Sequence, residues 1–336
     1  MTIYTQKGSI SLSDLQNGKK ITLLHGGSGP ADPKGPKAQT AATALNSVLE
    51  NISSPEAQTY ESSLLLEHKK MNHATGATKA EIRAVKAAYL LEHNPCFNAG
   101  YGAALQSDGV ARVSASFMES TRQKFSAVMN CRDIINPSKL AFLLQHEKFC
   151  VLDSTGARNL IHDLKLPTED LATVERLEAY TQSNAESQAL HPFEPDGKGT
   201  IGAVVVDCDG HLAAVTSTGG VGFETVGRVG DTPTVAGNFC THEVAISCTG
   251  YGEQIVNSAL AAAIATRVAD GFSLVAAVEK SLLDGQKKGY EFAAICIHKD
   301  SQTNTIHWVA ASLEPYFVWA ARVGTQTLGF WDSLPA

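Results

Sequence analysis

Apolar residues fall along the chain in short blocks of two different spacings, and the spacings predict the elements. Ile21–His25 (ITLLH) has the length and continuity of one buried strand. It runs into Gly26-Gly27-Ser28-Gly29-Pro30, read as a ligand-lining loop because glycines reach backbone angles closed to other residues. Before it, Met1 to Lys20 alternates polar and apolar positions with no continuous apolar stretch, so no secretory leader is expected there. Thr78-Lys79-Ala80-Glu81 has the spacing of a capping box. Ile82, Val85 and Tyr89 follow at helical intervals, predicting a helix to about Glu92 that Pro95 stops. Pro167 to Lys198 is polar, carries Pro192, Pro195 and Gly197, and reads as linker apart from a helix around Leu171 to Tyr180.

The pattern changes at Thr200. Ile201–Val206 and His211–Ser217 flank Asp207-Cys208-Asp209-Gly210, whose residues tolerate positive φ, and together they predict a hairpin. Helical spacing covers Glu253 to Asp270, with Gly271 placed to end it, and then Ser273 to about Asp284. Phe292–His298, Thr305–Ala310 and Phe317–Val323 read as consecutive antiparallel strands. Blocks of strands and helices without βα alternation indicate an α+β fold of layered antiparallel sheets.

Composition narrows the function classes. With 336 residues, 43% of them hydrophobic, the chain can bury a sizeable core. A net charge of -7 without any Lys or Arg cluster leaves no footprint for nucleic acid, so small molecules or peptides are the expected partners. The longest apolar run nearby, Ala259 to Ala265, is too short to span a bilayer, so no membrane partner is expected. Seven cysteines without a Cys-x-x-Cys pair argue against a disulfide framework or zinc ribbon and fit a reducing cytoplasm. Cys240 and His242 near Cys248 lack zinc-ligand spacing. His25-Gly26-Gly27 resembles an esterase oxyanion segment, but the chain has no Gly-x-Ser-x-Gly elbow, and the glycines lack the spacing of a phosphate or dinucleotide loop.

Thr200 is the candidate nucleophile. A threonine hydroxyl needs a base, and its own α-amine, with a reference pKa of roughly 7.7 to 8.0, can be that base once it is free. For an internal threonine the Gly199–Thr200 bond must break first. The hydroxyl can attack the Gly199 carbonyl in an N-to-O acyl shift, and water then hydrolyses the ester.

Around Thr200 five blocks stand in order: Phe97-Asn98-Ala99-Gly100-Tyr101-Gly102, Gly199-Thr200-Ile201-Gly202-Ala203-Val204, Ser217-Thr218-Gly219-Gly220, Gly227-Arg228-Val229-Gly230-Asp231, and Thr249-Gly250-Tyr251-Gly252-Glu253, with His25-Gly26-Gly27-Ser28-Gly29 ahead of them. Together they resemble the isoaspartyl peptidase/L-asparaginase family over essentially the whole chain. The resemblance implies a four-layer αββα sandwich of the N-terminal nucleophile hydrolase type, one domain matured by self-cleavage into residues 1–199 and 200–336. It makes Thr200 the nucleophile and general base, with Thr218 holding its hydroxyl and amine and Asn98 supporting it from the other chain. Thr249 and the Gly250 amide become the oxyanion hole, where each donor is worth about 3 to 4 kcal/mol. Arg228 takes the substrate carboxylate, and Asp231, with a backbone contact from Gly252, takes its ammonium. The family's sodium loop maps onto main-chain carbonyls of Leu91, Glu92, Asn94, Phe97, Ala99 and Tyr101; no cofactor is implied for catalysis. Hydrolysis of isoaspartyl dipeptides or the asparagine side-chain amide, through a β-aspartyl ester on Thr200, follows, in a dimer of cleaved protomers.

Departures cluster at the pocket. Ser114-Ala115-Ser116-Phe117-Met118-Glu119-Ser120 replaces the family's Asp-Ala-x-x-Met-Asp-Gly, Tyr251 stands where histidine is frequent, and Gly222 to Val226 and Thr234 to Asn238 differ from the usual stretches. Glycosylasparaginase and threonine aspartase share the fold but fit the blocks less well. A different class, an uncleaved binding protein on the same fold, also stays open.

Overall fold

The structure is a computed structural model and describes residues 2–29, 31–71, 76–187 and 199–330. In chain order its elements are β1 (Tyr4–Ser11), α1 (Leu12–Gln16), β2 (Ile21–Gly29), α2 (Pro36–Asn51), α3 (Pro55–Lys70), α4 (Lys79–Glu92), β3 (Val113–Glu119), β4 (Ser126–Cys131), α5 (Pro137–Leu143), β5 (Val151–Leu152), α6 (Ser154–Leu164), α7 (Val174–Ser187), β6 (Ile201–Val206), β7 (Leu212–Thr218), β8 (Asn238–Cys240), β9 (Val244–Gly250), α8 (Gly252–Ser258), α9 (Leu260–Ala269), α10 (Leu274–Gln286), β10 (Phe292–Asp300), β11 (Thr305–Ser312), β12 (Tyr316–Val323) and β13 (Gln326–Gly329).

Two sheets face one another. One runs β1-β11-β10-β9-β8, the other β13-β12-β2-β6-β7-β3-β4-β5. Helices α2, α4 and α5 cover the outer face of the larger sheet, and α9 and α10 that of the smaller. This is the αββα sandwich that the resemblance implies. The central strands are apolar on both faces for that reason: every residue of β6 is buried, between α4 on one side and the second sheet on the other. Strands from both sides of position 199 interleave, since β6 and β7 lie between β2 and β3.

Several sequence signals hold at the level of hydrogen bonds. The capping box forms, with Thr78 Oγ1 accepting from the Glu81 amide at 3.2 Å and Glu81 Oε2 from the Thr78 amide at 2.6 Å. The β6–β7 hairpin turns on Asp207, whose Oδ1 accepts from the Asp209 and His211 amides at 2.9 and 3.0 Å. Its Oδ2 accepts from the Ala80 amide at 3.0 Å, so one carboxylate serves both the turn and the first turn of α4. Alternation in the first twenty residues becomes β1, an edge strand paired to β11. All seven cysteines are free.

Three expectations need correction. Gly26 to Gly29 is not a loop: it continues β2, with Ser28 and Gly29 paired to Phe317 and Tyr316, because β12 supplies partners for backbone that the sequence alone leaves unpaired. Pro30 lies outside the described residues. The helix from Glu253 to Asp270 is two helices, α8 and α9, broken at Ala259, which sits in the left-handed region at φ 44°. The three last strands are not one meander, since β10 and β11 pair in the smaller sheet while β12 crosses to β2 in the larger. The helix expected around Leu171 to Tyr180 in the polar stretch is present as α7, displaced to Val174–Ser187 and tied down by Arg176 Nε donating to the Gly102 carbonyl at 2.8 Å and Tyr180 Oη to the Ser107 carbonyl at 2.9 Å. The remainder of that stretch, 188–198 with Pro192, Pro195, Gly197 and Lys198, lies outside the described residues.

Candidate active site

Register places the site. Side chains two apart on a strand share a face. In the hairpin Ile201 pairs with Ser217 and Gly202 with Thr216, so Thr200 stands just before the first paired residue of β6, level with Thr218. The Thr200 hydroxyl donates to Thr218 Oγ1 at 3.1 Å, and the Gly220 amide donates to the same oxygen at 3.2 Å. One step deeper lies a rung of buried polar groups. His25 Nε2 meets Ser247 Oγ at 2.8 Å, Ser247 Oγ meets Thr216 Oγ1 at 2.7 Å, and His25 Nδ1 meets the Thr200 carbonyl at 3.0 Å. Thr249 lies two residues beyond Ser247 on the same face of β9, as Thr218 lies two beyond Thr216 on β7. The loop 227–231 joins these strand ends: the Gly227 carbonyl and amide bond Asn130 and Gln106 beside β3, while Arg228 and Asp231 abut Gly252 just past β9. Thr249 is buried and its hydroxyl makes no hydrogen bond among the described residues.

Glycines at this site are there for close approach. A Cβ on Gly27 would sit 2.6 Å from the Gly199 amide nitrogen and one on Gly199 3.0 Å from the Gly27 carbonyl carbon, so the two backbones are in direct contact. Gly27 also has φ +116°, which L side chains rarely adopt.

Asn98 does not bond Thr200; it fixes the residues that follow Thr218. Its carbonyl accepts from the Gly219 amide at 2.8 Å, its Nδ2 donates to the Gly220 carbonyl, and its Oδ1 accepts from the Ala104 amide at 2.9 Å. A Cβ on Gly219 would lie 2.6 Å from Asn98 Oδ1. The segment before 199 is therefore clamped to the segment after it.

Arg228 and Asp231 are brought together, as expected. A Cβ on Gly252 would lie 2.7 Å from Arg228 Nη2 and 3.0 Å from Asp231 Oδ1, so this glycine makes room for both charges. Asp231 is 5% exposed, its Oδ2 has no hydrogen-bond donor among the described residues, and burial pushes its carboxyl up to about 7 against the attraction of Arg228. The Arg228 fork is already engaged on one edge. Its Nε and Nη2 donate to the two Glu253 carboxylate oxygens at 2.8 and 2.7 Å, leaving Nη1 and the outer Nη2 proton for another anion. That pairing holds the Glu253 carboxyl below its ordinary value.

The departures from the family pattern have places here. Ser116 Oγ donates to the Thr232 carbonyl and so anchors the residue after Asp231 to β3. Phe223, at φ 57°, stacks on Tyr180 at 4.9 Å between ring centroids, and its amide donates to the Leu105 carbonyl at 2.8 Å. Tyr251 precedes α8, and its amide donates to the Glu291 carbonyl at 3.3 Å. Between α4 and β3, residues 91–102 fold back on themselves. Gly100, at φ +53°, lies against the Glu92 carbonyl, and a Cβ on Gly102 would lie 2.8 Å from the Pro95 oxygen and collide with that of Phe97. The buried Glu92 carboxylate accepts from the Ser138 amide and hydroxyl at 3.1 and 2.7 Å, and burial raises its pKa to about 7.

Sequence reasoning missed the part played by His25, Ser247 and Thr216. Their signal is only the period of two on β7 and β9, which gains meaning once β9 is known to face β2, β6 and β7 across the sandwich.

The family model described as Asparaginase matches residues 41–318. An isoaspartyl peptidase/L-asparaginase of Synechocystis is 37% identical over 284 residues, covering 82% of this chain and 80% of that protein. Proteins of the same name from Nostoc and from Rattus norvegicus are 39% and 36% identical over 229 and 243 residues, covering 65% and 70% of this chain and 72% and 71% of theirs. With five ordered blocks, the αββα layers and a family match over most of its length, the chain belongs to the asparaginase family of amidohydrolases with the N-terminal nucleophile hydrolase fold.

Proposed function

We propose that the chain is a self-processing isoaspartyl peptidase/L-asparaginase whose nucleophile is Thr200. One observation carries the reading: the Thr200 hydroxyl is bonded to Thr218 at the head of a buried strand, immediately after a glycine packed against Gly27. Attack of Thr200 Oγ1 on the Gly199 carbonyl forms a C–O bond as the C–N bond breaks, and the proton passes to the departing amine. Water then hydrolyses the ester, leaving a Gly199 carboxylate and a free Thr200 amine. Residues 1–199 and 200–336 remain one folded domain because their strands interleave.

In turnover the amine takes the hydroxyl proton, and Oγ1 attacks the side-chain carbonyl of a β-aspartyl unit. The leaving amine or ammonia takes that proton back, and water releases aspartate. Thr249 and the Gly250 amide stabilise the oxyanion, while Asn98 holds the strand end carrying Thr218. The free edge of Arg228 takes the substrate α-carboxylate, and Asp231, with the Gly252 backbone beside it, takes the ammonium. The reaction needs no cofactor from the chain. Carbonyls of Leu91, Glu92, Asn94, Phe97, Ala99 and Tyr101 would hold a structural sodium ion that stiffens the loop leading into Asn98. The working form is a cytoplasmic dimer of cleaved protomers acting on asparagine or isoaspartyl dipeptides, without nucleic-acid or membrane partners.

Intact mass under denaturing conditions tests the reading. Two species matching residues 1–199 and 200–336, lost in Thr200→Ala together with hydrolysis of isoaspartyl dipeptides and asparagine, are expected. A single full-length species that persists on incubation, or turnover by Thr200→Ala, overturns it and leaves an uncleaved binding protein or another nucleophile.

A further inference from the structure

Once the Gly199–Thr200 bond is broken, Thr200 becomes a chain end, and chain ends fray unless they are tied down. The ladder does not tie it. Backbone pairing of β6 with β7 begins at Ile201, and with β2 at Gly202. Among the described residues, what reaches Thr200 beyond the ladder are two side chains, Thr218 on its hydroxyl and His25 on its carbonyl.

The proton order at His25 is forced. A carbonyl only accepts, so Nδ1 carries the proton and donates to the Thr200 oxygen; Nε2 must then accept, and Ser247 donates to it. With its proton committed, the Ser247 oxygen accepts from the Thr216 hydroxyl. Both imidazole nitrogens are thereby occupied and neither faces the Thr200 hydroxyl. Complete burial lowers the imidazole pKa to about 3, so the ring stays neutral and carries no charge to the site. A base role is excluded on both counts. The close approach is built in: a Cβ at position 202 would collide with Ser247 Oγ and His25 Nε2, so Gly202 leaves the space the chain of bonds occupies.

We infer that Thr216, Ser247 and His25 are positioning residues, a directed hydrogen-bond chain that grips the Thr200 carbonyl and thereby aims its hydroxyl and amine. This rests on Thr200 being the nucleophile. The substrate-binding pair Arg228 and Asp231 is not part of the chain, so loss of aim affects kcat and not KM. Ser247 acts at one remove, by fixing which imidazole nitrogen bears the proton.

Kinetics of His25→Ala, His25→Asn and Ser247→Ala test it, with activity counted per cleaved protomer from intact mass. His25→Ala is expected to lower kcat by about 10²-fold, the size of effect of a misplacement near 1 Å, with KM within about twofold of the parent. Asn can place an amide N–H where Nδ1–H stood, and His25→Asn is expected to recover most of that loss. Ser247→Ala falls between the two. A folded His25→Ala that stays uncleaved while His25→Asn cleaves also supports the assignment. Unchanged kcat per cleaved protomer in both alanine variants, equal loss in His25→Asn and His25→Ala, or unfolding of all three overturns it. An uncleaved parent protein would instead overturn the reading of Thr200, whatever the variants do.

Discussion

Gly27 and Gly199 lie backbone against backbone, with Gly199 nitrogen 2.6 Å from where a Gly27 side chain would begin. The contact joins β2, near the start of the chain, to the peptide bond proposed for cleavage. It leaves no room for a Cβ on either side, and Gly27 sits at φ +116° besides. Substituting Gly27→Ala therefore pushes the Gly199 peptide away from Thr200 Oγ1. The expected result is a folded precursor whose cleavage, followed by intact mass over hours, is slowed by about tenfold or more. Cleavage at the parent rate would show that the contact is incidental.

Thr218 accepts from both the Thr200 hydroxyl and the Gly220 amide. Thr218→Ala removes the acceptor and lets the proposed nucleophile, Thr200, rotate, for an expected fall in kcat of about 10 to 10²-fold. Thr218→Ser keeps the oxygen and should stay within a few-fold of the parent. Steady-state kinetics on an isoaspartyl dipeptide separates the two.

Asp231 gives a pH dependence with a definite sign. Its carboxyl is raised to about 7 by burial, so below that pH it is neutral and cannot pair with an ammonium. KM for substrate should fall as pH rises through about 7, and Asp231→Asn should raise KM and abolish the trend. Stability runs the other way. Because the folded pKa exceeds the ordinary carboxylate value of 3.8, the contribution of this group to stability is fully present below that value and is lost as pH rises toward 7. Thermal unfolding of Asp231→Asn should lack this contribution to the decline.

Ala259 holds a left-handed conformation, φ 44° and ψ 43°, between α8 and α9. A Cβ costs about 1 to 2 kcal/mol there and glycine does not. Ala259→Gly should raise the unfolding midpoint by a few degrees in calorimetry with activity unchanged; a lower midpoint would show that the methyl group packs usefully.

Much of this was legible in one dimension. The capping box at Thr78, the hairpin across Asp207, the glycine end at Gly271 and the blocks around Thr200 depend on neighbours a few residues apart, and local geometry alone selects the residues that fit them. So were Arg228 and Asp231 as a pair, three apart in a glycine-flanked turn. What the pattern could not reveal are choices made by distant partners. Whether Gly26 to Gly29 is loop or strand depends on β12, nearly 300 residues away in sequence, and β12 itself left its neighbour β11 for the other sheet. The break at Ala259 is invisible to periodicity, because the apolar run continues through it while the backbone turns.

By itself the sequence determined the fold family and marked the proposed nucleophile and the charged pair, since each is written in residue types at fixed spacing. Only the tertiary structure decided what stands under Thr200. His25, Thr216 and Ser247 come from three strands in two sheets, and they meet because a period of two on each strand turns them inward once the sheets are stacked. A side chain's direction is local, but what it points at is set by packing.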